Sequence, residues 1–281
     1  MSPIARPGGL VVRELLDVRD QAAASDLLMG VWQSADGSVP PELLRAMSFA
    51  GNYVAGAYRE DRLVGAAVGF FARGAAEERV HLHSHVVGVA AEARRQGVGM
   101  ALKLHQRSWA LGRGVAEIKW TFDPLLRVNA VFNIERLGAR PTSYLPDFYG
   151  TLDDPINAGD LTDRLLVSWD LASPSVAATL DRQDSSPPRG ATEMASPLLT
   201  VDSDNRPRLH PVSGESAVAI AIPRDIAALR RDDPALARLW RTTMRQAIVE
   251  ALADGYVFEG RLTASGYLLR QPRLRHAVGG S

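Results

Sequence analysis

The sequence contains no cysteine, which excludes disulfide frameworks, thiolate metal sites and cysteine nucleophiles. Lysine is nearly absent too: Lys103 and Lys119 are the only two, and the other 30 of the 32 cationic side chains are arginine. With so much alanine beside it, that bias reads as the codon usage of a GC-rich genome rather than selected phosphate binding. Positive and negative residues cancel at 32 each, with an isoelectric point near 7.0. Neither nucleic acid nor an acidic membrane is therefore an expected partner. The longest apolar run, Val64 to Ala72, spans nine residues including two glycines, far short of the about 20 needed to cross a bilayer. The first ten residues hold Pro3, Pro7, Gly8 and Gly9 where a signal peptide carries an apolar stretch. A cytoplasmic location is the expectation.

What is present is an ordinary globular composition, 46% hydrophobic and 23% charged in 281 residues. Strand-like and helix-like segments alternate over the first 171 residues. Strands are expected at Leu10 to Leu16, Tyr53 to Tyr58, Leu63 to Phe71, Val80 to Val89, Glu117 to Phe122, Thr142 to Phe148 and Arg164 to Asp170. Helices are expected at Val18 to Val31, after Pro40-Pro41, at Gly97 to Leu111, and from Pro124 to Leu137. The last of these is capped by Asp123 and closed by Gly138. Prolines crowd the stretch after Ser173, and periodicity vanishes there. Beyond it come a strand at Ala217 to Ile222, a helix at Pro234 to Ala253, and strands at Tyr256 to Leu262 and Tyr267 to Arg270. The fold class is α/β in the α+β sense: a mixed, mainly antiparallel sheet flanked by helices, with a C-terminal βαββ extension packed on it. The expected domains are 9–171, a Pro/Ser-rich linker over 172–214, and the extension over 215–272.

The chemistry concentrates where the strand through Val87, Gly88 and Val89 runs into Arg94, Arg95, Gln96, Gly97, Val98, Gly99 and Met100. A helix N-terminus offers unpaired N–H groups and partial positive charge, and glycine lets an anion approach the backbone. A Gly-x-Gly before a helix also suits an ordinary tight turn. Neither the dinucleotide fingerprint nor the nucleotide-binding lysine loop is present.

Arg94 to Gly99 resembles the R/Q-x-x-G-x-G/A loop of the GCN5-related N-acetyltransferase (GNAT) superfamily, which grips the pyrophosphate of coenzyme A. Further strings are similar to one branch of it, predicted acyltransferases with an added C-terminal segment. These are His83-Ser84-His85, Leu102 to Arg107, Trp120 to Leu125, Asn129 to Ala139, Tyr144 to Gly150, Ile222 to Asp225, Trp240-Arg241 and Gly255-Tyr256. Some branch members are associated with N-succinyl-amino-acid racemases and transfer a succinyl group to amino acids. The resemblance implies a coenzyme A-dependent N-acyltransferase moving an acetyl or succinyl group to a small-molecule primary amine in a ternary complex. It further implies that the amides of Gln96 to Met100 hold the pyrophosphate and that a backbone N–H of Val87 to Val89 meets the thioester oxygen. Asn129 and Asn133 would bond the pantetheine arm or the emerging thiol.

The general acid is open, because Ile134 stands where many members carry a tyrosine; Asn133, Tyr144 or Tyr149 could stand in. His81, His83 and His85 alternate along one strand and should face one side of the sheet. Of these, His85 is the candidate base, expected on the same strand face as Val87. No carboxylate cluster joins the histidines, so no metal is expected. Ser84 lacks a nucleophile elbow. Arginines 224, 230, 231, 238 and 241 read as a solvated face, and Trp109 and Trp120 as packing. The rival reading is an acyl-CoA-binding regulatory module with little or no turnover. A homodimer is left open.

Overall fold

The computed structural model describes residues 4–6, 9–32, 39–74, 79–150, 160–182, 195–212 and 214–272. Pro3, Pro7, Gly8 and the centre of the expected linker, 183–194, lie outside them. Two compact units are each drawn from several stretches of chain. Met1–Thr121, Leu152–Gly159 and Ser168–Pro174 form the first; Phe122–Thr151, Asp160–Val167 and Ser175–Ser281 form the second.

In the first unit, β1 (Ile4–Arg6), β2 (Leu10–Glu14), β3 (Tyr53–Arg59), β4 (Arg62–Ala72), β5 (His81–Val89) and β6 (Glu117–Phe122) lie side by side in chain order. Every pair is antiparallel except β5 and β6, which are parallel. Two helices, α1 (Val18–Trp32) and α2 (Pro41–Phe49), cover one face of this sheet, where Leu15, Leu28, Leu44, Val54, Ala66 and Val68 form a core. The long helix α3 (Val98–Leu111) covers the other with Val98, Leu102 and Trp109 buried. Its start comes so close to β4 that a Cβ at Gly65 would sit 2.8 Å from Val98 Cγ1. Trp109 donates from Nε1 to Glu14 at 2.7 Å and meets Tyr53 edge-on, the two ring centroids 5.1 Å apart. Trp109 and Trp120 are buried as the sequence suggests.

The second unit opens with α4 (Arg127–Ala130), which widens into a π-helical turn over Val131–Arg136. Strand β7 (Arg140–Leu145) adjoins β8 (Arg164–Asp170). Helix α5 (Pro174–Asp181) is followed by β9 (Ser196–Val201), β10 (Pro207–Leu209), β11 (Ala217–Ala221), α6 (Ile226–Asp232), α7 (Pro234–Ala253), β12 (Val257–Leu262) and β13 (Gly266–Arg270). The five strands from β9 on form one sheet in the order β10-β9-β11-β13-β12. Helix α7 buries Leu236, Trp240, Met244 and Ile248, the stripe its spacing predicts.

Three expectations need correction. The stretch expected as a linker carries α5, β9 and β10, and β9 lies inside the sheet, parallel to β11. Its prolines mask the pattern, yet Pro174 opens a helix, Pro207 opens a strand and Pro197 is the second residue of one. A missing N–H is tolerated at such positions. Helix α6 was not anticipated; it is short, and Asp225 caps it by accepting the Ala228 N–H at 3.0 Å. The helix after β6 starts at Arg127 rather than Pro124. Asp123 instead folds a turn, its Oδ1 accepting the Leu125 N–H at 3.0 Å. Gly138, at φ 72°, closes that helix as expected.

Candidate active site

Strand β5 has two edges with different fates. The Ala90 N–H donates to the Val64 carbonyl at 3.0 Å, so Val64 and Ala90 form a hydrogen-bonded antiparallel pair. Alternation along the ladder then commits Gly88 and Val86 to β4 and turns the N–H and C=O of Val87 and Val89 to the far edge. On that edge β6 pairs through Leu82↔Ile118 and His83↔Lys119, while β5 runs on to Val89. Among the described residues no strand pairs with that edge from Ser84 to Val89, over about 16 Å at ~3.3 Å per residue.

The open edge ends in a braced loop. A 3-10 turn at Ala91–Ala93 leads to Arg95 at φ 61° and Gly97 at φ 80°, both left-handed, and α3 starts at Val98. Glycine is needed at 97 for that backbone, and a Cβ there would meet nothing within 4 Å. The first α3 bond runs from the Ala101 N–H to the Gly97 carbonyl at 2.9 Å, so the N–H groups of the opening turn lie ahead of it. Gln96 donates to the Glu92 carbonyl at 2.6 Å and accepts from Arg59, while Arg62 pairs with Glu92. Arg94 donates from Nε to the Val89 carbonyl at 3.3 Å and is exposed, as is Arg95. An open left-handed glycine, a helix N-terminus and two exposed arginines fit a pyrophosphate in shape and charge.

The β4–β5 ladder also corrects the expected facing of the histidines. Val68 pairs with Val86 and Gly69 with Ser84, so His85 is the extra residue of a β-bulge. His83 and His85 flank Phe70, with ring centroids 5.0 and 5.9 Å away. Val86 packs into the α1/α2 core on that same face. The bulge restarts the alternation, so Val87, opposite Ala67, faces α3 instead. His85 and Val87 therefore do not share a face. Desolvation lowers both imidazole pKa values, although His85 keeps an exposed face; His83 falls to about 4, helped by the charges of His85, His81 and Lys103. Both rings are neutral at pH 7.

Sequence reasoning missed Lys103. It is buried on α3, where its Nζ donates to Ser84 Oγ at 2.8 Å and to Gln106 Oε1 at 3.2 Å and lies over the Trp120 ring. Burial brings its pKa down to about 7. One of only two lysines in the chain thus sits where β5 and β6 part, and that rarity was the available signal.

The second unit holds the other candidates. Asn129 is half-buried and Asn133 buried on the α4 helix, and Ile134 is part of the core. Tyr144 donates its hydroxyl proton to Asp163, which also binds Arg245. Burial and that carboxylate raise the phenol pKa well above its usual value, so Tyr144 is poorly suited to protonate a thiolate. Tyr149 is partly exposed, edge-on to Phe148 and 5.2 Å from the Arg164 guanidinium. Two of the arginines expected on a solvated face are buried. Arg230 and Arg241 both bind Asp123 Oδ2, at 2.6 and 2.9 Å, and Asp160 Oδ2, at 2.9 and 3.0 Å. Among the described residues no group of three His, Asp or Glu side chains could hold a metal ion. No described helix is long and apolar enough to cross a membrane.

Residues 22–139 match the model of the Acetyltransferase (GNAT) family. Over that segment, 118 of the 281 residues, the chain is similar to the GNAT acetyltransferases. Solved structures of similar fold include yncA from Salmonella typhimurium with acetyl-CoA, at 19% identity and a TM-score of 0.48 over 59% of this chain and 98% of that one. An N-acetyltransferase from Staphylococcus aureus is 12% identical, with a TM-score of 0.46 over 58% and 98% of the two chains. An aminoglycoside acetyltransferase from an uncultured soil metagenomic sample is 19% identical, with a TM-score of 0.41 over 45% and 86%. No curated protein matches the chain.

Proposed function

We propose that the chain is an acyl-CoA-dependent N-acyltransferase that moves an acetyl or succinyl group from acyl-CoA to the primary amine of a small molecule, such as an amino acid, in the cytoplasm. The observation that carries this reading is the parting of β5 from β6 beyond His83, with Val87 and Val89 turned to the open edge and Gly97 at its end. Acyl-CoA would supply the activated thioester when bound. The amides from Gln96 to Met100 receive the pyrophosphate, with Arg94 and Arg95 adding charge. The Val87 N–H, with Val89 beyond it, pairs with the extended arm and the thioester oxygen; an oxyanion donor of this kind is worth about 3 kcal/mol. His85, neutral at pH 7, accepts a proton from the substrate ammonium at imidazole Nδ1 or Nε2, which frees the amine to attack the thioester carbonyl while coenzyme A leaves as the thiolate.

A regulatory module with little turnover is the second reading, favoured by the buried Ile134 and by the engagement of Tyr144 with Asp163. Thiol release from acyl-CoA with a panel of amines separates the two. For the donor site, coenzyme A at about 100 times its Kd should add about 2.7 kcal/mol to stability. Gly97→Glu places a carboxylate over the loop and should abolish that thermal shift. Equal shifts in both proteins would put the phosphate site elsewhere.

A further inference from the structure

One of the chain's two lysines is buried at the inner end of the open edge. Lys103, on α3, is 3% exposed. Its Nζ donates to Ser84 Oγ and to Gln106 Oε1, and it lies over the Trp120 ring. Strands β5 and β6 pair last at His83 and Lys119, so Ser84 and Trp120 are the first residues beyond that pair. The cluster thus stands where the two strands part, and all four residues lie within the first unit.

Hydrogen-bonding capacity in this cluster is lopsided. The ammonium offers three N–H groups, the serine an O–H and the glutamine two N–H groups, against acceptors on Ser84 and Gln106 alone. Gln106 is fully buried, and its Nε2 has no hydrogen-bond partner. Among the described residues no carboxylate bonds Lys103. A buried cation ordinarily carries a paired anion, because an uncompensated charge away from water is costly. An anion is what the cluster lacks.

The donor can supply one. The arm enters from the loop at Gly97 and the Val87 N–H meets the thioester oxygen, so the acyl group continues inward towards Ser84. That distance is about 10 Å at ~3.3 Å per residue, shortened by the bulge at His85. An acetyl methyl, one C–C bond of about 1.5 Å beyond the carbonyl, stops far short of it. A carboxyl two methylenes further on covers much of the gap, and a hydrogen bond to Lys103 Nζ closes the rest. The acceptor amine meets His85, whose ring flanks Phe70 on the sheet face opposite α3, so its own substituents lie away from Lys103.

We propose that Lys103, with Ser84 and Gln106 beside it, forms a carboxylate subsite that selects an acyl-CoA whose acyl group ends in a second carboxyl, as in succinyl-CoA, over acetyl-CoA. This rests on the reading that the donor's arm lies along the open edge of β5.

Calorimetric titration of the full chain with succinyl-CoA and with acetyl-CoA tests this. The wild type should bind succinyl-CoA at least about tenfold more tightly, the scale of one hydrogen bond to a charged group. Lys103→Met should erase that preference and hold acetyl-CoA within about twofold of wild type. Ser84→Ala should narrow the preference about threefold, again with acetyl-CoA unchanged; it decides the matter should Lys103→Met lose both donors. Equal wild-type affinity for the two donors overturns the subsite alone, as does a preference that survives both substitutions. A Lys103→Met protein that keeps the preference but raises KM for a carboxylate-bearing amine gives the subsite to the acceptor and overturns the proposal too. A wild type that binds neither donor overturns the donor-site reading beneath it.

Discussion

The ammonium of Lys103 lies 3.7 Å from the centroid of the Trp120 ring, joining α3 to β6 where β5 and β6 part. No carboxylate is among its hydrogen-bond partners, Ser84 and Gln106. Burial lowers its pKa to about 7, and the ring, which attracts a cation, works against that drop. Between pH 7 and the ordinary lysine value of 10.5 the unfolded chain keeps a proton that the folded one releases. Stability should therefore rise with pH across that window. Lys103→Met should flatten the rise and cost little at pH 7, since an apolar chain of similar length replaces a buried charge. Chemical denaturation from pH 6 to 10 checks both, and an unchanged slope in the variant would assign the window to other groups.

His85 is the proton acceptor most exposed to test. With an amine acceptor found by screening, His85→Ala should lower kcat/KM by about 10²-fold near pH 7. Partial desolvation holds its pKa below the usual 6.5, so the wild-type advantage should shrink as acid protonates the ring. It should shrink again in alkali, where free amine needs no base. Coenzyme A affinity should not change, because the ring faces away from Val87.

Asp123 should govern stability in acid. Burial raises its pKa, but the charges and hydrogen bonds of Arg241 and Arg230 outweigh burial and hold it at about 2. Its contribution, roughly 2 kcal/mol, is complete above pH 4 and is lost as pH falls through 2. Asp123→Asn should remove that acid limb and cost about 3 kcal/mol at pH 7, by leaving two buried arginines to share Asp160. Urea titrations at pH 2.5 and 7 read the two effects separately.

Gly266→Ala should be among the most damaging single methyl additions in the chain. A Cβ at this position would overlap the Ile220 carbonyl and come 2.8 Å from the Ile222 nitrogen. Both are backbone atoms, one in β11 and one in the residue just after it, so relief requires that segment to move away from β13. A loss of at least about 2 kcal/mol is expected, measurable as a lowered denaturation midpoint.

The elements with regular spacing were legible. The stripe from Leu236 to Ile248 places α7 over Pro234–Ala253, and the hairpin of β3 and β4 follows from two apolar runs around Arg59 to Arg62. The glycine loop at 97 was legible for the same local reason, since glycine marks the left-handed backbone. Features that depend on distant partners were not. Arg230 and Arg241 look like surface cations until Asp123, more than a hundred residues earlier, supplies the counter-charge. The bulge at His85 breaks a period of two that the alternating histidines appear on the page to obey. Asp123-Pro124 has the composition of a helix start, but the two arginines draw the carboxylate into a turn instead.

Glu135 Oε1 accepts the Leu262 N–H of β12 at 2.6 Å across 127 residues of chain, which sets a schedule for biosynthesis. At a ribosomal rate of roughly 5–20 residues per second, the helix with its two asparagines emerges on the order of ten seconds before the hairpin that holds it. During that interval Arg127 and Glu135 are solvated charges on a segment too short to stay helical. The first unit can complete most of its sheet from chain already made, whereas the second must wait for nearly the last strand. A ribosome stalled before residue 262 would therefore present an assembled phosphate loop with no fixed helix to accompany it.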